Sequence, residues 1–216
     1  MLGIKVSIPV ACFRKGLARE YLETYELPPP STCYGFLLAL VGETNRETHL
    51  GARVTAALLE KAEMSVVLRT VWRLKKTPLG SPGNIRPDYQ QLLTDVKVII
   101  WLDSSQETPL DNKETLEQRV RAALDPSQRG KIERFGGLSL GESAHLVNDV
   151  LLVNQDEITA DSNEGACIFL ADVNGQTTLP VWVDHVGSEK TRYAVGTIVP
   201  DCIVPRNTES IPLIHS

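Results

Sequence analysis

Thr24 to Gly42 reads TYELPPPSTCYGFLLALVG, and no other stretch restricts the fold of this chain as strongly. Three successive prolines, Pro28 to Pro30, hold the backbone extended. A helix is predicted to start just after them, with Ser31 or Thr32 offering a side-chain oxygen as its cap. From Tyr34 to Val41 the segment is apolar on nearly every side, and Gly42 supplies a left-handed stop. A helix that is apolar all round has to be buried. The expectation is a central core helix with strands packed on its flanks.

A chain of 216 residues suits one domain, or one domain with a smaller appendage. The longest uncharged apolar run, Phe36 to Val41, is far short of the ~20 residues a membrane span needs. The opening MLGIKVSIPV alternates as a strand and lacks the basic start and cleavage site of a signal peptide, so a cytoplasmic location is expected. Cys12, Cys33, Cys167 and Cys202 are scattered, without a CxxC pair or a histidine at ligand spacing. They read as reduced, buried thiols; no metal and no cofactor is expected.

Net charge is −5, which argues against indiscriminate nucleic-acid binding. Its distribution is uneven. Met64 to Val98 carries six basic residues against two acidic ones, whereas Asp103 to Glu164 carries thirteen acidic against six basic. One anion-facing surface on an acidic body, or two solvated faces that merely differ in sign, would both produce this pattern.

Along the chain, Leu2 to Val10 alternates as a half-buried strand. Thr44-x-x-Glu47 has the capping-box pattern and predicts a second helix with Leu50, Val54, Ala57 and Leu58 as its stripe and His49 at its solvent edge. Met64 to Lys76 predicts a strand with Val66, Leu68, Thr70, Trp72 and Leu74 on one face and Val67, Arg69, Val71, Arg73 and Lys75 on the other, where Arg69, Arg73 and Lys75 form a basic row; an exposed strand kept soluble by charge is the alternative. Alternate strand residues lie roughly 6.6 Å apart, a spacing that can track a phosphate backbone. Thr77 to Tyr89 is too long and too rich in Pro and Gly for a tight hairpin turn. A strand over Asp95–Leu102, a helix opened by Asp111-x-x-Glu114 with the stripe Leu116, Val120, Ala123 and Leu124, and a strand over His145–Val153 complete the first part. The order matches the split βαβ pattern of the ferredoxin-like fold, without the aromatic signature of RNA-recognition motifs. After an acidic stretch, Asn174-Gly175 predicts a two-residue hairpin between CIFLADV and TTLPVWV. Residues 1–154 are thus read as an α+β, ferredoxin-like domain and 155–216 as a small β-rich extension.

GGLSLGES, Gly136 to Ser143, fits the phosphate-loop template at every position but one, because Glu142 stands where a lysine is required. A carboxylate there repels a nucleotide. The glycines still offer closely approachable backbone N–H groups. Ser143 and His145 are predicted to share one side of a strand entry, with no acid to orient them, and no hydrolase motif occurs.

IPVACFRKG, ETYELPPPSTCYGFLLALVG, VVLRTVWRLKKT, GNIRPDYQQLLTDV and FGGLSLGESAHLV follow one another over most of residues 1–153. In this combination the chain resembles the Cas-five family of the RAMP superfamily, subunits of type I CRISPR Cascade complexes, and most closely its DevS-like branch. The resemblance implies a ferredoxin-like domain with a glycine-rich loop at Arg134–Ser143 and a thumb hairpin at about residues 76–89. It implies partners as well: the 5′ handle of CRISPR RNA, a backbone subunit, a large subunit, and target DNA near its flanking motif, with no membrane. Candidates for RNA contact are then Arg14, Arg69, Arg73, Lys75, Lys76, Arg86, Tyr89, Arg134, Gly136, Gly137, Gly141, Ser143 and His145. One branch of the family cleaves the repeat without metal, using tyrosine, lysine and histidine. That trio has no matching positions here, so binding without catalysis is expected. Repeat cleavage by His145 and Tyr89, and a protein-interaction module without RNA, stay open as alternatives.

Overall fold

The computed structural model describes residues 1–16, 21–72, 78, 80–108, 114–153, 164–186 and 189–216, of which 71 and 72 are described as backbone only. Its framework is one mixed sheet, antiparallel but for one short parallel pair, with two α-helices on one face. In chain order the elements are β1 (Leu2–Ala11), β2 (Phe13–Arg14), β3 (Tyr21–Leu22), β4 (Thr24–Tyr25), α1 (Pro30–Leu40), β5 (Arg53–Leu58), β6 (Glu63–Trp72), β7 (Ile85–Asp103), α2 (Leu116–Leu124), β8 (Asp149–Val153), β9 (Cys167–Ala171), β10 (Thr177–Trp182) and β11 (Arg192–Pro200).

The core helix stands where the proline-led stretch places it, but it begins earlier. Pro30 is in its first turn, Pro29 caps it, and neither Ser31 nor Thr32 is the cap. A proline at the first helical position loses nothing, because its missing N–H would have had no partner there. Cys33, Tyr34, Phe36, Leu37, Leu38 and Leu40 are all buried, while Gly35 and Ala39 are exposed. Gly42 is left-handed, at φ 70°, and a Cβ there would lie 2.1 Å from the Glu133 carbonyl oxygen. The stop therefore also seats the chain that leads into the glycine-bearing loop.

The sheet runs β10-β11-β9-β5-β7-β1-β8, with β3 and β6 added along β7. The nineteen-residue β7 is its spine. Its second half pairs with β1 on one side and β5 on the other, and its first half pairs with β6 from Ile85↔Trp72 to Thr94↔Glu63. Alternation breaks once along this spine. Leu93 and Val96 are both buried although three residues apart, and Asp95 between them takes φ 51°. Val96, Val98, Ile100 and Leu102 pack under the helices with Ile4, Val6, Ile8 and Leu37. Ile99 and Trp101 pack on the opposite face with Ile168, Leu170, Ile203 and Ile211. There the chain's last segment closes the sheet, and Trp101 Nε1 donates to the Ile203 carbonyl at 2.7 Å.

Three expectations fail here. Arg53–Leu58 is strand β5, not a helix: buried on both faces between β7 and β9, its apolar residues satisfy either period. His49 is fully buried rather than at a solvent edge. On the strand whose two faces the sequence left unassigned, Met64, Val66 and Leu68 are exposed: β6 is the edge strand of an arm in which it pairs with β7 alone, with short β3 on the far side of β7. Asn174-Gly175 does make a turn, with Gly175 N–H donating to Asp172, but β11 inserts between β9 and β10, so no hairpin forms. The strands predicted beyond residue 155 are present and continue the main sheet through β5–β9 pairing.

α2 carries its predicted stripe, with Leu116, Val120 and Ala123 buried. Its capping box is Thr115 with Gln118; Asp111 lies outside the described residues. The last strand of the first part is shorter than predicted, starting at Asp149 instead of His145. Cys12, Cys33 and Cys167 are buried and reduced, and burial raises the pKa of each thiol.

Candidate nucleic-acid interface

The loop from Arg134 to Val147 folds back on itself. Ser139 bridges Leu146, Val147 N–H donates to the Leu138 carbonyl, and Leu140 N–H donates to the His145 carbonyl. Leu140 is fully buried in the main core and pins this small hairpin to the domain. Gly141 then makes the tight step. It takes φ 99°, and a Cβ there would come within 2.7 Å of the Cys12 carbonyl oxygen at the end of β1. Only glycine permits both that torsion and that approach. His145 completes the seat: its Nδ1 accepts from the Cys12 backbone N–H at 3.1 Å. A ring nitrogen that accepts is unprotonated, so the imidazole is neutral with its proton on Nε2.

The pKa of His145 is lowered below its usual 6.5, first by burial, with Glu142 opposing and Arg69 adding to the shift. Arg69 comes from β6 in the arm, and its Nη1 lies 3.9 Å from Glu142. Arm and loop therefore meet at Arg69, Glu142 and His145. Strand pairing sets Arg69 opposite Asp88, which is buried and ion-paired to Arg86 at 3.4 Å. Tyr89 is paired with Leu68, one residue out of phase, so it projects from the other face of the arm. On that face its ring centroid is 6.3 Å from that of Tyr21, whose strand β3 runs parallel beside it.

The other predicted residues are placed as follows. Arg14 is exposed on β2, whose pairing with β4 sets it opposite Thr24. Arg134 Nε donates to the Leu40 carbonyl at 2.8 Å, so this arginine satisfies the end of α1 while remaining exposed. Gly136 is left-handed at φ 79° with open space where a Cβ would stand, and Gly137 faces Leu146. Ser143 lies exposed in the turn of the loop, not on a strand beside His145. Arg73, Lys75 and Lys76 lie outside the described residues, as do residues 77 and 79 of the predicted thumb. The described remainder of that thumb is a 3-10 turn at Pro82–Asn84 and the first residues of β7.

Sequence reasoning missed Tyr21, which sits in a polar and irregular stretch, and it missed the role of Glu142. The carboxylate that spoils the phosphate-loop template is the residue that links the loop to Arg69. It also missed a buried network at the helix ends. Arg119 donates to Glu43 at 2.7 Å, to His49 Nε2 at 2.8 Å and to the Val41 carbonyl. His49 Nδ1 meets Glu107, whose carboxylate accepts from the Leu116 N–H at the start of α2. An arginine only donates, so His49 Nε2 accepts and Nδ1–H donates to Glu107. The network ties the end of α1 to the start of α2 and holds the base from which the loop departs.

The sequence of residues 1–134 matches the family model described as CRISPR-associated protein (Cas_Cas5). The chain belongs to the Cas5 family. A Cas5 protein of Myxococcus xanthus strain DK1622, "CRISPR-associated protein Cas5", is 50% identical over 201 residues, covering 92% of this chain and 90% of the relative. Two solved structures share the fold at low identity. A chain of a "CRISPR RNA-guided surveillance complex" matches with a TM-score of 0.58 at 15% identity, over 92% of this chain and 89% of that one. A second, "Crystal structure of Cas protein", matches with a TM-score of 0.52 at 14% identity, over 98% and 97%. Among the described residues no helix of this Cas5 chain is long and apolar enough to cross a membrane.

Proposed function

We propose that this chain is a non-catalytic RNA-binding subunit of a CRISPR surveillance complex of the Cascade type. It holds the 5′ handle of the guide RNA and caps the backbone filament beside the large subunit, near the flank of the target DNA. The observation that carries this reading is the meeting of the arm and the glycine-bearing loop at Arg69, Glu142 and His145. Arg69 is nearly half exposed, and its contact with Glu142 is long. Such a pair contributes only ~0–1 kcal/mol, so a phosphate can take over the guanidinium at little cost. The bare backbone at Gly136 and Gly137 lies on the same loop.

The fold supports the same reading. Strand order β8-β1-β7-β5, with one helix after β1 and the other after β7, fits the ferredoxin-like domain we propose. We take the loop as the glycine-rich loop of that domain and the arm as its thumb. Binding without cleavage fits the site better than repeat hydrolysis. His145 spends Nδ1 on the Cys12 N–H, and Tyr89 stands on the far face of the arm.

The test uses purified full-length protein with labelled CRISPR repeat RNA in EDTA, on native and denaturing gels. A shifted, uncut RNA whose affinity falls steeply with salt, and which binds more tightly than a scrambled RNA, is the expected result. Cutting would make the protein an endoribonuclease. Equal affinity for repeat and scrambled RNA would remove the handle assignment.

A further inference from the structure

The most exposed aromatic ring among the described residues belongs to Phe135, which is fully exposed. It stands in the glycine-bearing loop, between Arg134 and the left-handed Gly136. Phenylalanine is among the side chains most often buried, and here the ring is fully exposed in a loop held by its neighbours. The loop is pinned on both sides of it. Before the ring, Arg134 Nε is held by the Leu40 carbonyl, and Glu133 packs its carbonyl against Gly42. After it, Leu138 and Val147 pair backbone to backbone, with Leu140 buried beyond. Gly136 and Gly137 add no side chain beside the ring, so its faces stay accessible.

The surrounding charge selects among partners. Arg129, Lys131 and Arg134 are all exposed within six residues of the ring along the chain, and the acids near it are Glu133 and, across the cleft beside the ring, Glu43. On a chain of net charge −5 this is a local reversal of sign. Three cations on the same short stretch of chain as an exposed ring suit an anionic partner better than an apolar protein pocket. A polyanion that also offers flat apolar faces needs both, and single-stranded nucleic acid is that chemistry.

We propose that Phe135 is a stacking platform for one unpaired base of bound single-stranded RNA, with Arg129, Lys131 and Arg134 flanking it toward the adjoining phosphates. The proposal rests on the RNA-binding reading above and deepens it by naming a residue that contacts a base. Stacking on an aromatic face tolerates any base, so Phe135 adds affinity without sequence preference. Preference for the handle then has to come from elsewhere on the site.

Fluorescence-anisotropy titrations with labelled repeat RNA and with a scrambled RNA, over a range of salt, test this on the full-length wild-type, Phe135→Ala and Phe135→Trp proteins. Phe135→Ala is expected to bind both RNAs about 5- to 150-fold more weakly, the range for losing one base–aromatic stack. Its salt slope should not change, since no charge is removed. Phe135→Trp should restore affinity. Because the ring touches nothing it should leave thermal stability alone, and an unchanged midpoint confirms that the variants are folded. Wild-type affinity in Phe135→Ala overturns the stacking role while leaving the RNA-binding reading intact. Failure of the wild-type protein itself to bind RNA overturns both. Intact RNA affinity with loss of assembly onto a neighbouring subunit would make Phe135 a protein anchor and would also overturn the proposal.

Discussion

Replacing Gly141 by alanine should unseat the loop from β1, and the cost follows from two separate terms. The first is torsional: φ is 99°, and a non-glycine residue held in a sparsely populated backbone region costs roughly 1–3 kcal/mol. The second is steric: the new methyl would meet the Cys12 carbonyl oxygen at 2.7 Å, and that oxygen belongs to backbone at the end of a paired strand. Gly136 separates the terms. It is also left-handed, at φ 79°, but a Cβ there meets nothing within 4 Å. Gly136→Ala therefore carries the torsional term alone. The clash at Gly141 should add about 1–2 kcal/mol, within the ordinary range for overpacking. At 2–4 °C per kcal/mol for a chain of this size, the melting midpoint of Gly141→Ala should lie about 2–8 °C below that of Gly136→Ala. The Cys12 amide, which donates to His145, should also exchange with solvent faster in Gly141→Ala. Equal midpoints together with unchanged exchange at Cys12 would refute the claim that close approach to β1 seats this loop.

His49→Ala should destabilise the fold by about 1.5–3 kcal/mol in urea denaturation, since it removes the hydrogen bond that the neutral ring donates to the buried Glu107 carboxylate. Leu140→Ala should cost about 2–5 kcal/mol by the same measurement, and it should weaken RNA binding because Glu142 and His145 lose their anchor. Arg69→Gln should weaken repeat RNA binding and flatten its salt dependence by about one counterion. Arg121→Gln, on the far side of α2 and paired with Glu117, should do neither. The lowered pKa of His145 sets a pH trend. The unfolded chain binds the proton more readily, so this contribution to stability is full above pH 6.5 and is lost as pH falls through the folded value. Thermal melts of the wild type between pH 7 and 5 should show that decline, and His145→Gln should reduce it.

Much of this protein was legible in one dimension. Pro28 to Gly42 determines a buried helix, because a segment apolar on all sides has nowhere else to go. The stripe Leu116, Val120, Ala123 and the alternation of Leu2 to Val10 each admit one period. The family, too, could be read from the order of motifs. Position in space could not. Arg53–Leu58 satisfied a helical stripe only because a strand buried on both faces has no alternation to betray it. For Val66 and Leu68 alternation separated two faces but could not say which neighbours cover them, and the structure leaves both exposed. The Asn174-Gly175 turn is local and real, yet β11 took the place beside β9, since strand pairing is decided by the whole sheet. His49 gave no signal, because its partners Glu107 and Arg119 lie 58 and 70 residues away. The same holds at the candidate site. Sequence singled out the glycine-bearing stretch and the strand that carries Arg69, but folding alone decided that Arg69 meets Glu142 while Tyr89 turns away, because a strand commits neighbouring residues to opposite faces.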